Sequence, residues 1–429
     1  MTEDRDQNGS RAFHAEALEL DAHDPLAQFR GRFFLPPNTI YLDGNSLGPL
    51  CVDAEAALQA AVATWKLGGI EGWTNGPSPW FTMAERLGAR VAALLGAESD
   101  AVVVTGSTTT NLHQLLATLL RPEPGTTVVT DASAFPSDLY AIKSSLALRG
   151  LDASKALRLV NPDRHGILQE GAIIEAMHGA QMVILPAVVY TTGQLLDMAR
   201  LTTAAHEIGV IIGFDCAHSV GSVPHELDQW GVDFAFWCSY KYLNGGPGAA
   251  GGLYLNRRHW QAVPGLAGWF GAAKEIQMKM TTTLVPADSA GRLQIGTPNI
   301  LSMAPIDGSL TVIEEAGLPA LRLKSLTQTD FMLRMLHADP AFNCVSVVSP
   351  LEGERRGGHI TIQHPGAAGL SQALRTNGVI PDYRPPDMVR LAPAPLYISF
   401  QDCFQAVQQL KLLLQDPSGW QDLQPGLVP

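Results

Sequence analysis

VIIGFDCAHSVG at residues 210–221 and DFAFWCSYKYLNGG at residues 233–246 decide the fold of this chain. Each begins with an apolar run of strand length and continues into polar or glycine-rich sequence, which predicts a buried strand followed by a turn. Asp215 ends the first apolar run, and Lys241 lies just beyond the second. Since α/β proteins bind ligands at the carboxyl ends of parallel strands, this pair predicts a binding site with one carboxylate and one amine.

The sequence around these stretches alternates between strand-like and helix-like segments. Further apolar runs of strand length occur at residues 101–105, 126–130 and 182–189. Leu112, Leu115, Leu116 and Leu119 repeat on one face of a helix after the first of these runs, and residues 201–208 form another helical pattern. The alternation predicts an α/β fold in which helices flank a mostly parallel sheet.

The sequence pattern changes beyond about residue 299, where a smaller α+β domain is expected. Strand-like runs at 343–348, 359–363 and 388–391 occur there among helical segments. We therefore predict an N-terminal arm with part of the small domain at 1–60, a large ligand-binding domain at 61–300 and a small C-terminal domain at 301–429. The polar sequence before Asp43 is expected to be an arm without a regular element.

The composition argues against several classes of protein. The 429 residues carry 29 Lys and Arg against 41 Asp and Glu, and this net charge of −12 argues against a nucleic-acid-binding protein. No apolar run approaches the roughly 18 residues that cross a bilayer, and the polar N-terminus does not resemble a secretory signal. Five cysteines without CxxC spacing argue against a disulfide framework or a metal site. We expect a soluble, cytoplasmic protein.

Three polar features occur in the chain order that suits pyridoxal 5′-phosphate (PLP). The hydroxyl-rich segment 107–110, between a strand and a helix, offers backbone N–H groups and the positive end of a helix dipole to a phosphate. Asp215 would pair with a protonated ring nitrogen, and Lys241, 26 residues later, would form a Schiff base with the aldehyde. Taken singly, each has an ordinary alternative: a hydroxyl helix cap, an Asp helix cap and an exposed loop lysine. Together they predict a PLP enzyme.

The same stretches resemble the kynureninase family, whose members are fold-type I PLP enzymes of the class V aminotransferase superfamily. The resemblance extends along nearly the whole chain, through YLDGNSLG (41–48), FPSD (135–138), TGQ (192–194), GWFG (268–271) and VRLAPAPLY (389–397). It implies a homodimer that hydrolyses L-kynurenine to anthranilate and L-alanine by cleaving the bond between Cβ and Cγ. Whether 3-hydroxykynurenine is also a substrate stays open, although Gly296-Thr297 resembles the bacterial pattern that prefers kynurenine.

The resemblance also implies a role for each site residue. Lys241 would bind the cofactor aldehyde and later move the Cα proton, Asp215 would pair with the ring nitrogen, and Tyr240 would donate a proton to Cβ. His218 would lie in the cofactor pocket, and Arg390 would bind the substrate α-carboxylate. The remaining cofactor contacts would be Phe135 on the ring face, Asp138 beside the ring, and Thr108 and Thr109 at the phosphate. Tyr240, Trp269 and Thr297 would help to hold the phosphate, the last two reaching across from the partner subunit.

Physical arguments add to some of these assignments. A guanidinium binds a carboxylate in a bidentate manner, and Arg390, in apolar sequence, would be costly to bury without an anionic partner. Trp73 and Phe270 are predicted to surround the substrate ring. At Pro186 the sequence departs from the family, which often places a Ser or Thr there that can hydrogen-bond near the cofactor acid.

Alternative functions compete with this interpretation. A cysteine desulfurase or another class V aminotransferase-like enzyme would use the same acid and lysine, but Tyr240 stands where desulfurases have His, and neither Cys344 nor Cys403 has a loop motif around it. A catalytically inactive binding protein would be favoured by the loss of Lys241 or Arg390, and both are present. A nucleotide-binding reductase would need a GxGxxG motif between a strand and a helix. The sequence does not decide between roles in tryptophan catabolism, anthranilate supply and NAD biosynthesis.

Overall fold

The structure, a computed structural model, describes residues 2–421 and 423. Its strands, in chain order, are β1 (Ile40–Tyr41), β2 (Val102–Val104), β3 (Val128–Asp131), β4 (Leu157–Val160), β5 (Met182–Pro186), β6 (Ile211–Asp215), β7 (Phe234–Trp237), β8 (Gly252–Leu255), β9 (Ser346–Val347), β10 (Ile360–Gln363), β11 (Val379–Ile380), β12 (Asp382–Arg384) and β13 (Met388–Leu391).

The largest sheet has seven strands in the order β2-β8-β7-β6-β5-β3-β4. The neighbours from β7 to β4 run parallel, whereas β8 runs antiparallel to both β7 and β2. The predicted α/β fold with a mostly parallel sheet is therefore confirmed. The antiparallel β8 was not predicted. Asn244, Gly246 and Gly248 adopt positive φ angles after β7, which lets the chain reverse its direction there.

Helices flank the sheet and recur along the whole described chain. They are α1 (Thr2–Ala22), α2 (Val52–Gly68), α3 (Met83–Leu95), α4 (Thr108–Leu119), α5 (Pro136–Leu148), α6 (Ala153–Ala156), α7 (Glu170–Met177), α8 (Met198–Glu207), α9 (Leu227–Trp230), α10 (Lys274–Gln277), α11 (Ile300–Ala316), α12 (Leu318–Ala338), α13 (Ala367–Thr376) and α14 (Phe400–Gln415). None of the helices within the described residues is long and apolar enough to span a membrane.

The N-terminal segment contains a helix, so the expectation of an arm without a regular element was wrong. Helix α1 packs on α14, and Asp21 accepts hydrogen bonds from the backbone N–H groups of Phe400 (2.7 Å) and Gln401 (3.0 Å) at the start of α14. Beyond α1, Asp24 forms a buried ion pair with Lys324 (2.7 Å). Contacts distant in sequence therefore hold this segment, which its polar sequence did not indicate. The division at residues 60 and 300 stays a prediction.

A smaller antiparallel sheet lies in the C-terminal part, with the strand order β12-β13-β10-β9. Its register places Arg390 of β13 between Asp382 of β12 and Thr361 of β10. Strand β1 pairs with β11 in parallel, which brings the segment after Tyr41 to the same region. The fold thus places Arg390 and the YLDGNSLG segment side by side.

Candidate active site

A cavity of about 250 Å³ lies at the carboxyl ends of β5 and β6 and beyond the end of β7. Because these strands are parallel and in register, Asp215 lies opposite both Pro186 and Phe236. Most of the predicted site residues line the cavity: Thr108, Thr109, Phe135, Asp138, Asp215, His218, Tyr240 and Lys241. The fold therefore brings together the hydroxyl segment, the acid and the lysine that the sequence placed in one site.

The hydroxyl segment forms the first turn of α4. Ser107 is the helix cap, and its Oγ accepts a hydrogen bond from the backbone N–H of Thr110 (3.3 Å). Thr108 and Thr109 occupy the first helical positions and line the cavity. The helix-cap interpretation and the anion-site interpretation are therefore compatible, because a capped helix start still presents N–H groups and a positive dipole end to an anion.

Two carboxyl groups share the floor of the cavity. Asp215 is held by the backbone N–H of Ala217 (2.8 Å) and interacts with Asp138, whose Oδ1 has no hydrogen-bond partner among the described residues. Burial raises the pKa of both carboxyl groups, and the charge of Asp215 raises that of Asp138 further, while the Lys241 charge lowers both. The pair thus favours a cationic or N–H-bearing group beside it.

Pro186 lies opposite Asp215 in the strand register, which is where the family often has a hydroxyl residue. Proline has no side-chain donor. In this chain the carboxyl group of Asp138 is the side chain that interacts with Asp215. Asp215 therefore has Asp138 as a polar neighbour although position 186 offers no hydroxyl group.

Lys241 is the amine of the cavity, and it lies against a histidine. Its Nζ is 2.9 Å from Nε2 of His218 and 6.0 Å from the centre of the Phe135 ring. His218 is buried, and burial, followed by the charges of Lys241 and Arg390, lowers its pKa well below the ordinary value. His218 is therefore a neutral imidazole next to the amine.

Tyr240 and Phe135 complete the walls around the amine. Burial raises the pKa of Tyr240, and the neighbouring Cys238 raises it further, so the phenol keeps its proton at neutral pH. Phe135 is 41% exposed and meets the ring of Tyr190 edge to face, with ring centres 5.4 Å apart. A partly exposed aromatic face at a cavity mouth is suited to stack on a flat ligand.

PLP fits these residues. The start of α4 suits its phosphate, Lys241 suits its aldehyde, and the unpartnered Oδ1 of Asp138 beside Asp215 suits a protonated ring nitrogen. Asp138 is buried and Asp215 is half-buried, and two such carboxylates would be unfavourable without a partner of this kind. The same set of residues does not resemble a metal site, because a lysine amine and phenol are poor ligands beside carboxyl groups that resist ionisation.

Arg390 is fully buried, and it has an anionic partner within the chain. Asp382, opposite it in the register, forms an ion pair with it and accepts a hydrogen bond from Ser46. Arg384 binds the same carboxylate at 2.8 Å. These two guanidinium groups hold the pKa of Asp382 at about 2 although burial opposes this. One carboxylate between two arginines leaves a net positive charge, so the position still suits a second anion.

Two predicted cofactor contacts lie outside the central cavity within this chain. Thr297 lines an adjacent cavity of about 500 Å³ that shares Ser107 and Tyr240 with the central one. Trp269 is 44% exposed, and its indole N–H donates to the carbonyl of Gln277 (3.1 Å). Their assignment to the cofactor stays a prediction that requires a second subunit.

The two residues predicted to surround the substrate ring are also away from Lys241. Trp73 and Phe270 belong to one aromatic cluster, with ring centres 6.0 Å apart, and neither lines the central cavity. Lys274 lies over the Phe270 ring at 4.4 Å, so this cluster already has a cationic partner. A role for these rings at the substrate stays a prediction that also requires a second subunit.

Sequence reasoning missed several residues near the site. Tyr190 lines the cavity and could have been noticed as the first polar residue after the apolar run that begins at Met182. Asp382 and Arg384 depend on the pairing of β12 with β13, which no local sequence pattern indicates. His359 lies next to His218, with ring centres 5.8 Å apart, although the two are far apart in the chain.

Known proteins resemble this chain over most of its length. The family description "Kynureninase C-terminal domain" matches residues 321–410, and "DegT/DnrJ/EryC1/StrS aminotransferase family" matches residues 70–229. Curated proteins named kynureninase from Geobacillus thermodenitrificans and Bacillus anthracis are 47% and 48% identical over 402 residues, which is 93% of this chain and 94% of theirs.

Solved structures match in fold alone. A cysteine desulfurase from Thermococcus onnurineus superposes with a TM-score of 0.77 at 19% identity, covering 91% of this chain and 98% of that one. A variant of the lyase C-DES with glycine covalently linked to its PLP cofactor has a TM-score of 0.77 at 17% identity, covering 89% and 98%. The backbone architecture is therefore that of fold-type I PLP enzymes, and the similarity to desulfurases is too low in sequence to indicate their reaction.

Proposed function

The chain belongs to the kynureninase family, and from this premise we propose that it hydrolyses L-kynurenine to anthranilate and L-alanine with Lys241 as the residue that binds PLP. The observation that carries the proposal is one cavity in which the Lys241 amine, the buried Asp215–Asp138 pair and the start of α4 meet. A cysteine desulfurase would require a reactive cysteine near the amine. Cys344 and Cys403 do not line this cavity, and burial raises the pKa of Cys238, which does.

The cofactor determines what the residues around it must do. When bound, PLP supplies an aldehyde that bonds to amines and a protonated ring that accepts electrons from the substrate. Asp215, supported by Asp138, would keep that ring protonated. Thr108 and Thr109 would hold the phosphate at the start of α4, and Phe135 would cover the ring. His218 would remain a neutral member of this pocket.

Proton transfer in this proposal depends on two side chains. Lys241, once released by the substrate amine, would take the Cα proton, because its Nζ lies beside a neutral imidazole that accepts a hydrogen bond without competing for the proton. Tyr240 would give a proton to Cβ, since its raised pKa keeps the phenol protonated until a carbanion-like acceptor forms. Both groups line the same cavity.

Arg390 would bind the substrate α-carboxylate. Its Nε–H has no hydrogen-bond partner among the described residues, and its Nη1 donates to the Tyr190 carbonyl (2.8 Å) at the cavity wall. The excess positive charge that Arg384 adds around Asp382 favours an incoming anion. Asp43 is only partly ionised at neutral pH, because burial and the charge of Asp382 raise its pKa to about 7.

We further propose a homodimer in which Trp269 and Thr297 of each chain complete the partner's site. Large apolar side chains are exposed on and just after α2: Trp65 (61%), Leu67 (85%) and Ile70 (76%). Exposed apolar groups of this size support a protein–protein contact. Light scattering coupled to size exclusion would test it: we expect twice the chain mass, and a fully active monomer would contradict the proposal.

We propose a cytoplasmic location and a role in tryptophan catabolism through the kynurenine pathway. All five cysteines are free, and four of them are buried, which agrees with a reducing compartment. Whether the product supplies anthranilate metabolism or the pathway supports NAD biosynthesis depends on partner enzymes. Fractionation of cells followed by immunodetection of the chain would test the location.

The decisive experiment measures anthranilate fluorescence after L-kynurenine is added to the purified, PLP-loaded protein. We expect release by the wild type and none by Lys241→Ala, which should also lose the absorbance of the lysine-bound cofactor. Asp100→Asn, at a solvent-facing position, is a control that should keep full activity. Sulfide release from cysteine without anthranilate release would favour the desulfurase instead.

Substrate preference needs a second measurement on the same protein. From the Gly296-Thr297 match we expect kcat/KM to be higher for L-kynurenine than for 3-hydroxykynurenine. A clear preference for the hydroxylated substrate would contradict this part of the proposal while leaving the reaction itself intact.

A further inference from the structure

His359 is a buried histidine beside the site that the proposed mechanism does not use. It directly precedes β10, its side chain is 0% exposed, and neither ring nitrogen has a partner at good hydrogen-bond geometry among the described residues, although the ring interacts with the backbone of Tyr190. Buried polar atoms without partners are uncommon in native proteins. An imidazole with two such atoms therefore calls for a physical explanation.

The ring of His359 lies against His218. The two ring centres are 5.8 Å apart at an angle of 57°, and Nδ1 of His218 is also buried without a partner among the described residues. The other nitrogen of His218, Nε2, is 2.9 Å from Nζ of Lys241. Lys241, His218 and His359 therefore lie next to one another in that order, and both rings carry unpartnered nitrogens.

The backbone around His359 is shaped to admit its ring. Gly193 has a φ of 73°, and a Cβ there would lie 2.6 Å from the His359 carbonyl oxygen and 3.3 Å from its Nε2. Gly357 donates to the carbonyl of Gly193 (2.7 Å), which joins this turn to the segment before β10. Arg322 binds the carbonyls of Gly353 (2.9 Å) and Arg356 from the other side. The ring therefore has a fixed place.

The hydrogen-bond chemistry of the lysine determines which tautomer His218 needs. The Lys241 amine can donate to Nε2 of His218 or, when neutral, accept from it; when it donates, Nε2 must offer a lone pair. In a neutral imidazole the single ring hydrogen then sits on Nδ1, and a buried Nδ1–H needs an acceptor. The His359 ring, whose centre is 5.8 Å from that of His218, carries nitrogens that can supply such an acceptor.

We propose that His359 is a positioning residue that accepts a hydrogen bond from Nδ1–H of His218 and thereby keeps Nε2 of His218 free to accept from Lys241. The proposal deepens the proposed function and rests on it for its catalytic consequence. The charged groups around the ring agree with a neutral His359: burial, followed by the charge of Arg390, lowers its pKa to about 3, while Asp382 and the Tyr190 backbone oppose this in part.

The test observes the tautomer of His218 directly. Protein labelled with ¹⁵N-histidine would be examined by NMR both with PLP and after its removal, and the His218 signals would be assigned by their loss in His218→Gln. In the wild type we expect the hydrogen on Nδ1 in the protein without PLP. A hydrogen on Nε2 instead would overturn the proposal without any variant of His359.

Two variants and one control sharpen the test. His359→Phe should move the His218 hydrogen to Nε2 and lower kcat on kynurenine by about tenfold with KM nearly unchanged, the loss of one hydrogen bond. His359→Gln, which keeps an acceptor, should restore both. His225→Gln is the control, because His225 is equally buried but bonds Ser219 (3.0 Å) and should leave the tautomer unchanged.

Outcomes for the tautomer and for the reaction are separate. An unchanged Nδ1 tautomer in His359→Phe would reduce His359 to a packing residue and overturn the proposal, even if activity fell. A wild-type protein with the expected tautomer but no anthranilate release would overturn the proposed function and leave the histidine contact standing.

Discussion

Two buried acidic sites lie at opposite ends of the same sheet. At the amino end of β7, Asp233 accepts hydrogen bonds from Nε2 of His206 (2.9 Å), Nε2 of His259 (2.7 Å) and the backbone N–H of Ile212 (2.9 Å). At the carboxyl end of β6, Asp215 accepts a hydrogen bond from the backbone N–H of Ala217 and interacts with Asp138, whose Oδ1 has no partner among the described residues.

The difference appears in the proton affinities. Burial alone would raise the pKa of Asp233, but the hydrogen bonds from His259, Ile212 and His206 outweigh it and hold this pKa below its ordinary value. For Asp215 and Asp138 the effect of burial outweighs the opposing effect of the Lys241 charge, and both pKa values are raised. Burial is common to both sites. What marks the functional one is the missing partner, which a cationic ligand would supply.

The largest expected effect comes from Asp215→Asn. An amide cannot keep a bound ring nitrogen protonated, so kcat on kynurenine should fall on the order of 10³-fold, as after loss of a preorganised charge partner. Urea unfolding of the PLP-free protein should show no loss of stability, because a raised pKa means that the charge was unfavourable there. Wild-type activity in this variant would contradict the assignment of Asp215 to the reaction.

Asp233→Asn should have the opposite profile. It breaks a fully bonded buried carboxylate, so the free energy of unfolding should fall by about 3 kcal/mol, while kcat and the cofactor spectrum stay near wild type. Because the pKa of Asp233 is lowered in the folded protein, its stabilising effect should be present above the ordinary Asp pKa. The effect should be lost as the pH falls through the lower pKa of the folded state. A variant that unfolds normally but loses activity would show that the two ends are coupled.

The functional end was largely predictable from the sequence, for a physical reason. Asp215 and Lys241 follow apolar strands, and parallel strands carry their ends to one edge, so local patterns were enough to bring them together. Thr108 and Thr109 could be placed because a helix start has a local signature. Each of these predictions needed only the local sequence around the residue and the rule that parallel strands end at one edge of the sheet.

The parts that were missed depend on contacts distant in sequence. The pairing of Arg390 with Asp382 is set by the register of two short strands, and His359 meets His218 across 140 intervening residues. Helix α1 has a polar sequence, and its contacts with α14 follow only from the folded chain. Trp269 and Thr297 would need a second subunit, which one sequence cannot position.

Asp138→Asn sharpens the comparison by removing one carboxylate of the pair. The raised pKa values mean that the folded, PLP-free protein binds more protons than the unfolded chain between the ordinary and the raised pKa, so stability falls as the pH rises through that window. The variant should therefore be more stable than wild type at pH 7, by about 2 kcal/mol, with the gain shrinking towards pH 4. Urea unfolding at both pH values would measure it, and an equal gain at both would contradict the assignment.

The smallest effect is expected at His206, which gives Asp233 one of its three hydrogen bonds from a side chain that is 30% exposed. His206→Phe keeps the ring but removes the donor, and the remaining bonds from His259 and Ile212 should hold the loss to about 1 kcal/mol in the free energy of unfolding. His206→Gln, whose amide can donate, should recover most of it. Equal losses in both variants would indicate that the imidazole stabilises the protein through packing. The hydrogen bond from His206 would then contribute little to the stability of the Asp233 site, contrary to the comparison.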